Sequence, residues 1–277
     1  MFRLINPLLL AFAVIAVPLW AQPSEEVKID TLLQALAVPE RIEIIREEQL
    51  SISNSPEFPE LPLGPKALWG MALSAIYDTD LLYEKVRRDF SLAVQQEDID
   101  AMLAFYTSDQ GAKIVGLEIS ARRSFLDDAI EESSKASAAA ARMDNTQRYQ
   151  MIMEFVALNH LIDLSVSEWL NFRHAYMTGL HSGGKFASDI TVETLLGNSQ
   201  EQEIAFRSYV TDHIYALYFL AFQSLSDEEL AGYIAFSNTE AAQAMNGALF
   251  AAFGLMYDET AQASGLAYSR FVYGQEL

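Results

Sequence analysis

The chain has 277 residues, no cysteine, 51% apolar composition and a formal charge of −20. Without cysteine it has no disulfide, no catalytic thiol and no lipid-modified cysteine, so an exported fold would rest on its apolar core alone. The excess of 38 acidic over 18 basic residues excludes nucleic acid and anionic membrane surfaces as partners of the whole molecule.

Residues 1–21 have the form of a secretory signal peptide. Arg3 supplies the charged start, Leu8 to Val17 is uninterruptedly apolar, Pro18 breaks the run, and Ala21 offers a small residue for cleavage. The apolar run is about half the roughly 20 residues that a spanning helix needs, so no stable membrane span is expected once the signal is removed. Leu19 departs from the small-residue pattern before the cleavage site, which leaves a retained anchor as the alternative. The expected location is the periplasm or the secreted fraction.

Apolar residues then recur at three and four, with no persistent strand alternation, and predict an all-α protein. Short helices are expected over Lys28–Leu36 and from Val38 to about Ser53, with Pro39 at a first-turn position. Four prolines between Ser53 and Lys66 mark a connector. One long helix is expected from Pro65 to about Gln95, and a shorter one from Glu97 to Tyr106. Thr107-Ser108-Asp109 reads as a break and a cap, followed by a long helix to about Arg142. After Met143–Thr146, helices are expected over Gln147–Leu164 and Glu168–Leu180, the second capped by Ser167. His181–Lys185 is a glycine turn, and Ser188–Leu196 a short helix. Ser199-x-x-Gln202 opens a helix to Leu225 that is apolar nearly all round, which points to a buried centre. Ser226-x-x-Glu229 is a capping box, and the last helix spans Glu240 to Val272.

The stretch EDIDAMLAFYTSDQGAKIVGLEISARRSFLDD from Glu97 lines up without gaps on EELAGYIAFSNTEAAQAMNGALFAAFGLMYDE from Glu228. Phe105/Phe236, Gly116/Gly247 and Ala121/Ala252 are identical, and Ile114/Met245 and Phe125/Met256 stay apolar. Val38–Glu47 also resembles Val166–Ala175. The expected architecture is a multi-helix bundle of two tandem, duplicated units: residues 22–142 and residues 146–277, packed as one globular body.

Phe105-Tyr106-Thr107-Ser108-Asp109-Gln110-Gly111-Ala112-Lys113 resembles the Phe-Tyr, Ser/Thr, x, x, Gly, x, Lys hairpin of the bacterial domain-of-unknown-function family 2059. The resemblance is best over Leu81–Ile130 and weaker over Asp227–Gln262, where Ala242 and Ala244 replace the glycine and the lysine. It implies an exported, all-helical protein and no particular activity. Each residue of the motif also has a packing role, and Lys113 reads either as solvent-facing or as a contact for an anion or partner.

Catalytic and metal signatures are missing. His160, His174, His181 and His213 form no His-Glu-x-x-His or Glu-x-x-His pair, so neither a metal site nor a cofactor is expected. His174 and His181 would share a face only if the helix ran past Gly179. Ser182-Gly183-Gly184-Lys185 matches Ser-x-x-Lys, but its glycines and the missing Lys-Thr-Gly make it coincidental. Asp127, Asp128, Glu131 and Glu132 read as a solvated face, and Glu118 with Arg122 as an i,i+4 pair. The second unit is richer in aromatics. Core packing explains most of them, and an interhelical groove at Phe222, Phe253 and Tyr257 is the alternative. The function expected is a non-enzymatic binding or interaction module. A carrier for an apolar ligand such as a lipid tail, or an envelope hydrolase with Glu131, Glu132, His174 and His213 converging, are the alternatives.

Overall fold

A computed structural model describes residues 24–54, 63–94, 96–183, 191–197 and 199–272. The signal segment, residues 55–62 of the proline connector, residues 184–185 of the glycine turn and the capping side chain of Ser199 lie outside the described residues.

The described residues form helices without strands, in the order α1 (Glu25–Ala35), α2 (Val38–Asn54), α3 (Leu63–Ile76), α4 (Thr79–Ala93), α5 (Gln96–Tyr106), α6 (Asp109–Ser124), α7 (Asp128–Met143), α8 (Gln147–Leu158), α9 (Leu161–Ser182), α10 (Val192–Leu196), α11 (Ser199–Ala221), α12 (Asp227–Ser237) and α13 (Glu240–Val272). Side-chain oxygens accept otherwise unpaired N–H groups at the helix starts. Ser108 Oγ accepts from Gly111 N at 3.1 Å, Thr146 Oγ1 from Tyr149 N at 3.2 Å, and Thr239 Oγ1 from Ala242 N at 3.2 Å. Ser226 and Glu229 close the capping box.

Three joints differ from the sequence reading. The expected Pro65–Gln95 helix divides at Tyr77–Asp78. There Asp78 caps α4, and Arg46 Nη1 of α2 donates to the carbonyls of Ser74 and Tyr77 that end α3. The expected helix from Ser108 to Arg142 divides at Phe125–Asp127, with Asp127 accepting from Ala129 N at 2.9 Å. The third joint is at Asn159–His160, where His160 takes the left-handed conformation (φ 52). α9 then runs unbroken through Ser167 and Gly179 to Ser182. α11 ends at Ala221 rather than Leu225, and only its inner face is buried: Ile204 is 64% and Tyr209 52% exposed.

α1 packs on α2, α4 and α5, and α8 packs on α9, α11 and α12. α2 touches α3, α4 and α6, and α9 touches α10, α11 and α13. Ala37 between α1 and α2, and His160 between α8 and α9, both sit at φ 52. Ile29, Leu32 and Leu33, before the first of these joints, and Ile152, Phe155 and Val156, before the second, are all buried.

The core has two main clusters, and α6 and α13 contribute side chains to both. Met245, Ala252 and Met256 of α13 join the cluster built on α1–α5. Ile114 and Ala121 of α6 join the cluster built on α8, α9, α11 and α12. Burial of this apolar surface at roughly 25 cal/mol per Å² is what ties the two halves together.

α9 and α13 form the most extensive helix contact. Gly179 and Gly265 make it possible. A Cβ on Gly179 would meet Gln262 O at 2.0 Å, and one on Gly265 would meet Tyr176 O at 2.1 Å.

Candidate functional site

Where the two clusters meet, the helices line a partly open cavity of about 430 Å³. Its size falls within the roughly 300–1,000 Å³ of small-molecule sites. α2, α5, α6, α9, α11 and α13 contribute most of its wall.

The wall is divided by chemistry. α6 presents Val115, Glu118 and Arg122, while the aligned positions of α13 present Asn246, Leu249 and Phe253. Both sets line the cavity, which therefore carries charged as well as apolar groups. Phe206, Val210, Ile214 and Phe250 extend the apolar side.

On the charged side, Arg41 Nη2 donates to Glu118 Oε2 at 2.9 Å. Tyr233 Oη donates to the other oxygen, Glu118 Oε1, at 3.1 Å. Glu118 is therefore held by α2 and α12 and not by Arg122, correcting the i,i+4 expectation. Arg122 turns to Glu48 Oε2 at 3.3 Å and to the Tyr257 hydroxyl. Its Nε–H is shielded and has no acceptor.

Glu168 of α9 also lines the cavity. Among the described residues it has no ion-pair partner and no hydrogen-bond donor. Burial pushes its carboxyl up to about 7; Arg122 lowers it and Asp258 raises it. Burial likewise raises Tyr257, Tyr218 and Tyr106, so these phenols are neutral donors and acceptors.

His213 lies at the α11 side, with Nδ1 3.0 Å from Glu131 Oε1 of α7. Lys135 approaches the same carboxylate at 2.9 Å. Burial works to raise the Glu131 carboxyl, but the Lys135 and His213 bonds outweigh it and hold it low. Glu131 is thus partly buried and paired, not part of a solvated face. Glu132 points outward, 71% exposed, and His174 is exposed on α9. Of the four residues expected to converge in a hydrolase, only Glu131 and His213 do.

The expected groove residues separate in the same way. Phe253 and Tyr257 line the cavity. Phe222 does not: it is fully buried and packs on Phe155, Tyr218 and Tyr233. Lys113 lies outside, where Nζ pairs with Glu229 Oε1 at 2.5 Å and fastens α6 to the start of α12. Gly111 is fixed by packing, since a Cβ there would meet Phe105 O at 2.2 Å. The sequence reading missed Arg41, Glu168 and Phe206. One signal was available: Glu118 and Arg122 are charged where the aligned positions, Leu249 and Phe253, are apolar.

Among the described residues no group of three or more His, Asp or Glu gathers to hold a metal, and no helix is long and apolar enough to cross a membrane. No curated protein and no solved structure matches the chain. Residues 90–141, from the end of α4 through α5 and α6 into α7, match the family model described as "Uncharacterized protein conserved in bacteria (DUF2059)".

Proposed function

We propose that this chain is a non-enzymatic binding protein, exported to the bacterial envelope by its N-terminal segment, that encloses an amphipathic small molecule between two copies of one helical unit. The cavity carries this reading: about 430 Å³, lined by the charged Glu118 and Arg122 and by the apolar Leu249 and Phe253. Such a site binds the apolar body of a ligand by burial and orients it by one polar end. The repeated order of helix packing, the matched left-handed joints at Ala37 and His160, and the equivalent caps at Ser108 and Thr239 support descent from a duplication. Divergence at the lining positions then made one wall polar and the other apolar.

Titration with an uncharged fluorescent probe, N-phenyl-1-naphthylamine, tests the binding reading. Saturable enhancement is expected for the native protein. Leu217→Trp, which fills the cavity from α11, is expected to abolish it while the helical circular dichroism is kept. Equal enhancement in both proteins would mean that the probe binds elsewhere and would remove the support for the cavity.

A further inference from the structure

We propose that the cavity seats the carboxyl group of an apolar monocarboxylic acid between Arg122 and Glu168, with one proton held between the ligand and Glu168. The inference rests on the cavity-binding reading and names its ligand class.

Two observations combine. Arg122 has more donors than acceptors around it: its guanidinium carries five N–H groups, and its partners are Glu48 and Tyr257. Its side chain keeps 33% of its surface exposed where it lines the cavity. Glu168 of α9, which lines the same cavity, has the opposite lack, an acceptor without a donor. Arg122 and Glu168 do not close the gap by pairing with each other. A group that accepts on one side and shares a proton on the other fits between them.

The charges around Glu168 select the head group. Arg122 of α6 is the cation beside it, and Asp258 of α13 is a nearby anion. Tyr257 of α13 and Tyr209 of α11 are neutral phenols, raised by burial. His213 of α11 is engaged by Glu131, and His174 of α9 faces Asp258. Within the wall, Arg41 is matched by Glu118, and Arg122 by Glu48 from behind. A dianionic phosphate would find no unmatched pair of cations here. An amine would place its charge beside Arg122. A carboxylate accepts from Arg122 in a charge-assisted bond, about twice as strong as a neutral one. Its other oxygen accepts the proton of a neutral Glu168. No covalent bond changes: the ligand anion and one solvent proton enter together. Phe206, Phe250 and Phe253 receive the apolar body.

Calorimetric titration of the signal-free chain with dodecanoate, dodecanamide and dodecanol tests this. Dodecanoate is expected to bind with a Kd that rises about tenfold per pH unit above pH ~7, taking up one proton per ligand in buffers of different ionisation enthalpy. Dodecanamide supplies its own N–H and is expected to bind without proton uptake. In Glu168→Gln the amide donates in place of the acid, so dodecanoate binding persists and its pH dependence disappears. Arg122→Met is expected to weaken dodecanoate at least tenfold and dodecanamide less. Dodecanol binding without dodecanoate binding would overturn the carboxyl seat and leave the cavity reading standing. Dodecanoate binding that is independent of pH, or that keeps its pH dependence in Glu168→Gln, would do the same. Failure of all three ligands and of the uncharged naphthylamine probe would remove both.

Discussion

Phe105 and Phe236, aligned with each other in the two halves of the chain, stack face to face at 3.6 Å between ring centroids and 8° between planes. Each belongs to the turn that ends its own short helix, and each carbonyl accepts from the following cap: Ser108 Oγ at 2.6 Å and Thr239 Oγ1 at 2.8 Å. Both rings pack against both core clusters. Their contact is therefore expected to be coupled. Phe105→Leu, Phe236→Leu and the double variant, compared by urea unfolding, are expected to give a coupling energy of about 0.5–1.5 kcal/mol. Strict additivity would show that the rings pack independently.

The α9–α13 crossing is expected to be intolerant of a single methyl group. Gly265→Ala drives a Cβ toward Tyr176 O, and Gly179→Ala drives one toward Gln262 O, so each is expected to cost about 1–3 kcal/mol or more. Gly116 and Gly247, aligned in α6 and α13, have open space around a new Cβ. Alanine at either is expected to stabilise by roughly 0.5–1 kcal/mol, the helix-interior gain over glycine. Thermal melts of the four variants check the contrast.

Arg41 and Glu118 form a largely enclosed pair, with side chains 26% and 12% exposed. Arg41→Met leaves the carboxylate with Tyr233 alone and is expected to cost about 3 kcal/mol. Arg41→Met combined with Glu118→Leu removes the stranded charge and is expected to recover most of that loss. A double variant as unstable as the single one would contradict this view of the pair.

Glu168 makes stability fall as pH rises. Its folded value of about 7 lies above its ordinary value of 4.5, so between these the folded state binds more protons than the unfolded one. Stability is highest below about pH 4.5 for this group and is lost through pH 7, by roughly 3 kcal/mol in all. Glu168→Gln is expected to match the native protein near pH ~5 and to exceed it at pH ~8.5, because the amide carries no charge to bury. Parallel melting curves of the two proteins across that range would contradict the assignment.

Much of the helical frame was legible in the residues. Ser108, Thr146 and the Ser226–Glu229 box stand where their helices begin, and α13 runs from Glu240 to Val272 as its unbroken apolar pattern implies. The joints at Asp78, Asp127 and His160 were hidden because the apolar period continues across them. Local side-chain bonds from the two aspartates and one left-handed residue outweigh that period. Arg122 and Glu118 have helical pairing distance, yet Glu48 and Arg41 from α2 take them. Gly179 reads as a break in sequence, but its missing Cβ is a packing requirement of the α9–α13 crossing. The cavity draws its lining from residues as far apart in the chain as Leu36 and Tyr257, and no local pattern encodes that assembly. Aromatic content alone could not tell Phe222, sealed in the core, from Phe253, which faces the cavity.

Native mass spectrometry of the protein purified without detergent from its own cells tests the binding claim most directly. The account predicts a noncovalent adduct of small-molecule mass on the signal-free chain, whose exact mass fits an apolar monocarboxylic acid and which is lost in Leu217→Trp. A bare chain that also takes up no dodecanoate, dodecanamide or naphthylamine probe would contradict it.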